Sequence, residues 1–529
     1  MTAARYFLLS CAFLALTWAR AQSGSLDPAF NGTGTVITPV NDLDVVQQIL
    51  VQDDQKIIAI GMSFDAVYTA RGHVFRYLPD GTPDPTFADN GMFTFELDNE
   101  ADLYAGVLTP EGKIILAGAT TNYQEYRLLL IQLLADGSLD DTFGTNGVVA
   151  QSVSVVSPNA EDMAFDVALD AVGNILVSGS SYDANYVRRP IIARFTPSGV
   201  LDASFGTDGI ASIPVMSAGA SSFQGLAVLP DGKIIGAGYF GNNELWTVLL
   251  LARFLEDGSL DASFGDAGTV KFNYGNVDDE AEDVQIATDG SILVAGVTVT
   301  QTYNYSALLA KFTADGDLDT GFGNGGTVEE DLDSFDYASN LALLPDGSVV
   351  MAGSSGDGPP GSFDQIVWKY HADGSPDLDF GDAGHAQPSV DGYYTMINAL
   401  AVQADGKLLL GGQARTTVNE NYFYVGRMLN DLSIGVASIT VPDGALAFPN
   451  PAAAGSMLTL RLPAGSGPLM HVQLMAPDGR SIPPLRTEKA DAQGNDLRVQ
   501  LPGDLAPGRY QLTVDRAGER FGTSLLLTR

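Results

Sequence analysis

Leu260-Asp261-Ala262-Ser263-Phe264-Gly265-Asp266-Ala267-Gly268 is one of seven copies of a single phrase, Asp-x-x-Phe-x-x-x-Gly. Its phenylalanines are Phe30, Phe87, Phe143, Phe205, Phe264, Phe322 and Phe380. Asp27, Asp84, Asp140, Asp202, Asp261, Asp319 and Asp377 stand three residues earlier. The Phe-to-Phe steps are 57, 56, 62, 59, 58 and 58 residues. A fixed phrase on an elastic period marks one structural unit copied in series, with length changes confined to loops.

The copy Ser259–Gly316 reads as four short strands. After the phrase come Thr269–Asn273, then a polar run from Tyr274 to Glu280, then the alternating stretch Ala281–Ala287. Asp289-Gly290 supplies a hairpin turn, since Gly accepts the positive φ that tight hairpins need. Ser291–Ala295 closes on Gly296, and a loop leads to the strand Ala307–Thr313. The glycine recurs as Gly61, Gly118, Gly179, Gly238, Gly353 and Gly412, a second register that agrees with the first. It is expected to end the third strand. Nothing in the repeats has a 3.6-residue apolar period of helical length.

The expected fold is all-β: a seven-bladed β-propeller of four-stranded blades, followed by a small C-terminal β-sandwich. One such sheet cannot cover both its faces, whereas a ring buries each between two neighbours and protects strand edges. A solenoid is the architectural alternative. Each phrase Phe is expected in the seam between blades. Each phrase Asp is expected to accept backbone N–H groups in its turn. No strand precedes the first phrase and no phrase follows the last strand, Phe423–Leu429, so the first phrase is expected to dock there and close the ring.

The ends differ in character. Arg5, the apolar run Tyr6–Trp18 and Ala19-Arg20-Ala21 have the layout of a signal peptide, residues 1–21, cleaved after Ala21. A rival reading takes Leu8-Leu9-Ser10-Cys11 as a lipoprotein box. Cys11 is the only cysteine, so a mature chain would hold no disulfide, thiol nucleophile or thiolate metal site. Residues 22–435 carry 16 Lys and Arg against 56 Asp and Glu; the remaining tail carries 9 against 8. That divides the chain into repeats at 22–435, a linker at 436–446 and a tail domain at 447–529. So acidic a repeat region repels nucleic acid and anionic lipid. No later stretch is apolar enough to span a membrane, and a monomeric propeller is expected.

The copies resemble the bacterial delta-60 repeat. The likeness is carried by Leu201-Asp202-Ala203-Ser204-Phe205-Gly206, by Asp231-Gly232-Lys233-Ile234-Ile235-Gly236-Ala237-Gly238, and by Leu251-Ala252-Arg253-Phe254 with Asp257-Gly258. It covers residues 25 to 431 and implies an exported repeat protein without assigned chemistry. Asn31 and Ala88 replace the glycine after Phe, which predicts two less tight turns. The tail resembles the C-terminal sorting domain of the type IX secretion system, through Phe448-Pro449-Asn450-Pro451, His471–Ala476 with Asp478-Gly479-Arg480, and Gly508-Arg509-Tyr510-Gln511-Leu512-Thr513-Val514. Its last strand lacks the lysines often found there. This resemblance implies passage across a Gram-negative outer membrane, with release or attachment to the cell surface and the export machinery as partner. The residue pattern alone gives an ordinary sandwich module.

Strand alternation puts the Asp-Gly and Asp-x-x-Phe turns on one face and every variable loop on the other, so binding is expected on the second. The loops before the second strand are acidic. Among them Asp278, Asp279, Glu280, Glu329, Asp331 and Asp333 offer oxygens to a possible Ca²⁺, without the spaced Asp series of a dedicated calcium loop. The loops before the fourth strand are aromatic: Tyr68, Tyr123, Tyr126, Tyr182, Tyr186, Tyr239, Trp246, Tyr303 and Tyr305 are candidate ligand contacts, and such rings suit sugars and protein surfaces. None of His73, His371, His385 and His471 lies in a recognisable triad pattern. The expected function is a surface or secreted binding and adhesion module for extracellular polysaccharide or protein. The alternatives are a hydrolase or lyase using loop carboxylates, and a structural surface protein.

Overall fold

A computed structural model describes residues 23–430, apart from 42, 66–67, 98–99, 155–160, 216–218, 242–245, 276, 358–362 and 418–419, together with the backbone of strands beyond residue 445. The expected signal peptide lies outside the described residues, as do Pro449-Asn450-Pro451 and Asp478-Gly479-Arg480 of the tail. Among the described residues the chain is all-β and contains no helix.

The repeats form four-stranded antiparallel sheets. In the fifth unit the strands run Asp278–Ile286, Ile292–Val299, Tyr305–Phe312 and Thr327–Glu330, each paired with the next. The short strand after each phrase therefore pairs backward. Thr269–Phe272 is the outer strand of the fourth unit, against Thr247–Phe254. The unit read from the sequence is thus shifted by one strand. The polar run read as a loop also corrects: Asp278, Asp279 and Glu280 begin an inner strand. Only one face of that strand meets apolar neighbours, so a polar alternation suits it.

Each inner strand packs against the inner strands of the units before and after it. Leu43–Val51 of the first unit packs in the same way against Tyr394–Val402 of the last, which closes the series. The second strands are buried almost throughout, because a neighbouring sheet covers each face. Every inner strand carries a β-bulge, between Val46 and Gln48 in the first unit and at the matching place in each of the others. The recurrent glycine lies opposite this bulge, inside the second strand rather than at its end. A Cβ on Gly61, Gly118 or Gly296 would overlap the carbonyl oxygen of Val45, Asp102 or Glu280.

Sheets are held to one another at the phrase. In the fourth unit the Arg253 Nε donates to Asp261 Oδ2 at 2.8 Å, and another guanidinium nitrogen donates to the Ala314 carbonyl of the fifth unit. The guanidinium lies 4.6 Å from the Phe264 ring centroid. Asp261 Oδ1 accepts the Ser263 N–H and hydroxyl, which is the expected turn brace. The Phe264 ring, wholly buried, abuts Gly316 of the next unit, and the Gly265 N–H donates to the Asp315 carbonyl. Arg76, Arg194 and Arg427 repeat the arrangement with Asp84, Asp202 and Asp27. Lys311 and Lys369 substitute for Arg at Asp319 and Asp377, and Lys113 reaches Asp140 where Gln132 holds the arginine's place.

The last unit takes its fourth strand from the start of the chain. Thr35–Thr38 pairs antiparallel with Phe423–Gly426. Arg427 meets Asp27 at 2.9 Å, and the Ser23 carbonyl accepts the Gly381 N–H just as Asp315 accepts Gly265. Ser23-Gly24 thus stands where an eighth copy would present its Asp-Gly turn. Asn31 and Ala88 do not loosen their turns. Their φ values of 50° and 42° match those of Gly144, Gly206 and Gly265, at 52°, 55° and 50°.

The tail strands form two sheets. One runs in the order Leu446–Phe448, Met457–Arg461, Asp496–Gln500, Arg486–Lys489. The other runs Ala452–Ala453, Glu519–Thr528, Gly508–Arg516, Leu469–Met475, Ser481–Ile482.

Replacing Arg253 with Leu strips Asp261 of its closest cation while leaving the carboxylate buried. The variant is expected to lose about 3 kcal/mol in urea unfolding. Adding Asp261→Leu is expected to recover part of that loss, because no unpaired charge then remains.

Candidate binding face

The face opposite the phrases is built from the hairpins between second and third strands and from the first residues of the inner strands. Four hairpins present a tyrosine at the tip. Tyr68, Tyr123, Tyr186 and Tyr303 are 71%, 70%, 57% and 66% exposed. All four have left-handed backbones, with φ between 59° and 67°. The turns are closed by bonds such as Tyr303 N–H to the Thr300 carbonyl at 2.9 Å and Tyr68 N–H to the Asp65 carbonyl at 2.8 Å. A left-handed turn is cheapest for Gly or Asn, and an L side chain there costs about 1–2 kcal/mol. A large ring at these positions is therefore not a requirement of the turn.

The other aromatic candidates sit lower. Tyr126 and Tyr305 begin third strands, and Tyr182 and Tyr239 lie near the ends of second strands. All four are half-buried, as is Trp246. Tyr305 stacks on Phe335 with centroids 4.1 Å apart, and the Tyr182 hydroxyl donates to Glu161 at 3.0 Å. The candidates therefore divide into a rim of exposed rings and an inner set that packs on neighbours.

Inside the rim lies the mouth of the central channel. Period-two alternation along the inner strand Glu100–Leu108 turns Glu100, Asp102 and Tyr104 to one side. With Tyr126, Phe64 of the first unit, and Glu161 and Met163 of the third, they line a cavity of about 490 Å³. Tyr126 donates to Glu100 at 3.3 Å, and Arg188 forms an ion pair with Glu161. Asp102 is 6% exposed. Among the described residues no hydrogen bond reaches its carboxyl. Burial, and then the charge of Glu100, push it up to about 7. Burial and the same carboxylates also raise the Tyr104 and Tyr126 hydroxyls.

Deeper, the bulged inner strands enclose a second cavity of about 340 Å³. Residues just past the bulges link one unit to the next. Asp166 accepts the Leu226 N–H at 2.9 Å, Asp283 accepts Leu341 at 2.8 Å, and Asn340 accepts Leu400 at 2.9 Å. Asp166 is nonetheless pushed up to about 7, first by burial and then by the charge of Asp283. Asp283 rises to about 6 by burial, and Glu282 to about 7 by burial against an opposing Tyr337 hydrogen bond.

The calcium candidates are each engaged by protein donors. Asp279 accepts the N–H groups of Tyr274 and Gly275 and the Thr298 hydroxyl. Asp44, Asp162 and Asp336 brace the same loop in other units. Asp278 and Glu280 accept the Thr247 hydroxyl, Glu329 the Tyr274 hydroxyl, Asp331 the Asn304 amide and Asp333 the Ser355 hydroxyl. No group of three or more acids, His or Cys converges to hold a metal among the described residues. One pairing escaped the sequence reading: Ser63 Oγ lies 2.8 Å from His73 Nε2. Ser63 is wholly buried and burial pushes His73 down to about 4, so the pair is a neutral core contact.

Six stretches, 52–87, 109–143, 173–205, 229–264, 287–322 and 344–380, match the profile of a β-propeller domain of unknown function, DUF5122. The chain is a β-propeller repeat protein. No curated protein matches its sequence. Solved structures similar to the repeat protein include a glucose dehydrogenase, at 12% identity and TM-score 0.35 over 61% of this chain and 95% of that one. An ulvan lyase of polysaccharide lyase family PL25 aligns at 8% identity and TM-score 0.41, over 74% and 94%. The Bacillus subtilis arabinanase Arb43A aligns at 9% identity and TM-score 0.29, over 61% and 92%. Likenesses this remote carry nothing about chemistry.

The shifted carboxyls give stability a pH dependence of known sign. Asp102, Asp166, Glu282 and Asp283 hold protons in the folded state that the unfolded chain releases near pH 4, so stability falls as pH rises from about 4 to 7. His73, lowered on folding, opposes this with a single group. The phrase carboxyls Asp27, Asp84, Asp140, Asp202 and Asp261 are lowered and act at the acid end. Burial would raise Asp84, but Thr86 hydrogen bonds and the charges of Arg76 and Lys56 outweigh it and bring it to about 2. Its contribution is complete above about pH 4 and is lost toward pH 2. The unfolding free energy from urea titration is expected to peak near pH 4–5 and to be lower at pH 8 by at least about 1.4 kcal/mol, the equivalent of one pKa unit.

Proposed function

We propose that the chain is an exported seven-bladed β-propeller that binds an extracellular polysaccharide or protein through its variable-loop face. The supporting observation is the rim of four exposed tyrosines held at left-handed hairpin tips. Backbone strain kept at a loop tip under an exposed ring favours a binding role. Tyr offers an apolar face that covers a sugar ring and a hydroxyl for its edge. A second reading, a hydrolase or lyase, draws on Asp102, a carboxyl that titrates near neutrality in a cavity beside other carboxylates.

Tyr186→Gly with Tyr303→Gly separates binding from folding. The pair is expected to gain about 1 kcal/mol per site in unfolding free energy, and to bind at least tenfold more weakly on a glycan array or to a surface protein ligand. Unchanged binding would remove the rim from the site. Product release from a polysaccharide, abolished by Asp102→Asn with folding intact, would put the second reading first.

Export rests on the ends of the chain. In this reading residues 1–21 direct entry to the periplasm, and the C-terminal β-sandwich directs type IX secretion to the outer face of the outer membrane. Deleting residues 447–529 is expected to leave the chain in the periplasmic fraction. Surface labelling of that truncation at the full-length level refutes the sorting role.

A further inference from the structure

The cavity at the channel mouth is chemically unlike the rim. Glu100, Asp102 and Glu161 give it three carboxylates, and Phe64, Tyr104, Tyr126 and Met163 give it rings and a thioether. Two of the carboxylates are engaged: Glu161 by Arg188 and Tyr182, Glu100 by Tyr126. The third is not. Asp102 is more than nine-tenths buried, faces the cavity and receives no hydrogen bond among the described residues. A buried carboxyl without a donor keeps its proton, and a cation entering from outside would return it to the charged form.

The walls decide what kind of group. A hydrated metal ion wants six or more oxygens, whereas four of the seven residues lining this cavity are Phe64, Tyr104, Tyr126 and Met163. Rings beside a carboxylate suit an organic cation, which gains cation–π attraction and an ion pair together. The cavity, at about 490 Å³, is wide enough for a sugar ring rather than only a linear side chain. The repeats' large excess of carboxylates draws cations to the molecule and repels anions.

We propose that this cavity binds the protonated amine of an amino sugar, with Asp102 as the anchor and Tyr104, Tyr126 and Phe64 covering the ring. The inference rests on the loop face being the binding face, and it makes one subsite there specific for a glycan with free amino groups.

Calorimetric titration of the full chain with a glucosamine tetramer and with its N-acetylated counterpart tests it. The amine form is expected to bind at least tenfold tighter, and Asp102→Asn is expected to reduce that preference to less than threefold. Equal binding of the two oligomers, binding of neither, or a preference that survives Asp102→Asn overturns the proposal. So does tighter binding of a lysine oligopeptide, which would make the partner a protein. If Asp102→Asn does not fold, the wild-type preference decides alone. Tyr186→Gly with Tyr303→Gly, run beside it, tells the two sites apart. Neutral glycan binding lost in the rim variant, with no amine preference in the wild type, leaves the rim reading standing and removes only this one.

Discussion

The contact on which the rest of the molecule depends is the guanidinium between two sheets. Arg253 holds Asp261 of its own turn, covers Phe264 and donates to a carbonyl of the next unit. One side chain therefore fixes the shape of a turn and the distance to the neighbouring sheet together. A lysine makes the ion pair but has no planar fork with which to span the seam. Units with Lys311 or Lys369 keep the charge and the position over the ring, and rely on backbone bonds such as Gly323 N–H to the Asp373 carbonyl for the rest.

Fixing the seams on one face frees the other. Phrase turns differ little between units, since each must fit the next unit's Asp-Gly turn. The hairpins opposite meet no such condition and carry the strained tyrosines. Between the faces the channel is lined by residues that the bulges turn inward, including carboxyls that the seams do not need. The molecule thus separates phrase carboxyls such as Asp84, held well below the ordinary range, from carboxyls such as Asp166, raised by burial around the axis.

The repeated four-stranded sheet was legible because Phe264 and Gly296 recur in two registers, and that agreement follows from packing. The phase of the unit was not legible. Nothing in Thr269–Phe272 itself says whether it pairs with the strand before it, Thr247–Phe254, or the strand after it, Asp278–Ile286, which are of similar length. Gly296 was visible, but its cause, a bulge on the facing strand, is a property of two segments together. Arg253 stood in plain sight within a repeated motif, yet its role needs three segments to be brought into contact. The aromatic loops were read as a class. Only backbone geometry separates the exposed Tyr303 from Tyr305, two residues later and stacked on Phe335.

The ring is sealed by residues far apart in the chain: Asp27 meets Arg427 and Thr35–Thr38 completes the last sheet. A segment that precedes every sheet of the ring thus waits for a partner that follows them all. Until residues 394–428 arrive, the inner strand of the first unit has no neighbour on one side and Thr35–Thr38 has no strand to pair with. A ribosome or a translocon that delivers the chain from its N-terminus delivers it in that open state. Closure is then a single long-range event whose entropic cost grows only with the logarithm of the loop. The circle therefore behaves as one cooperative body once shut, and as a row of separable sheets before.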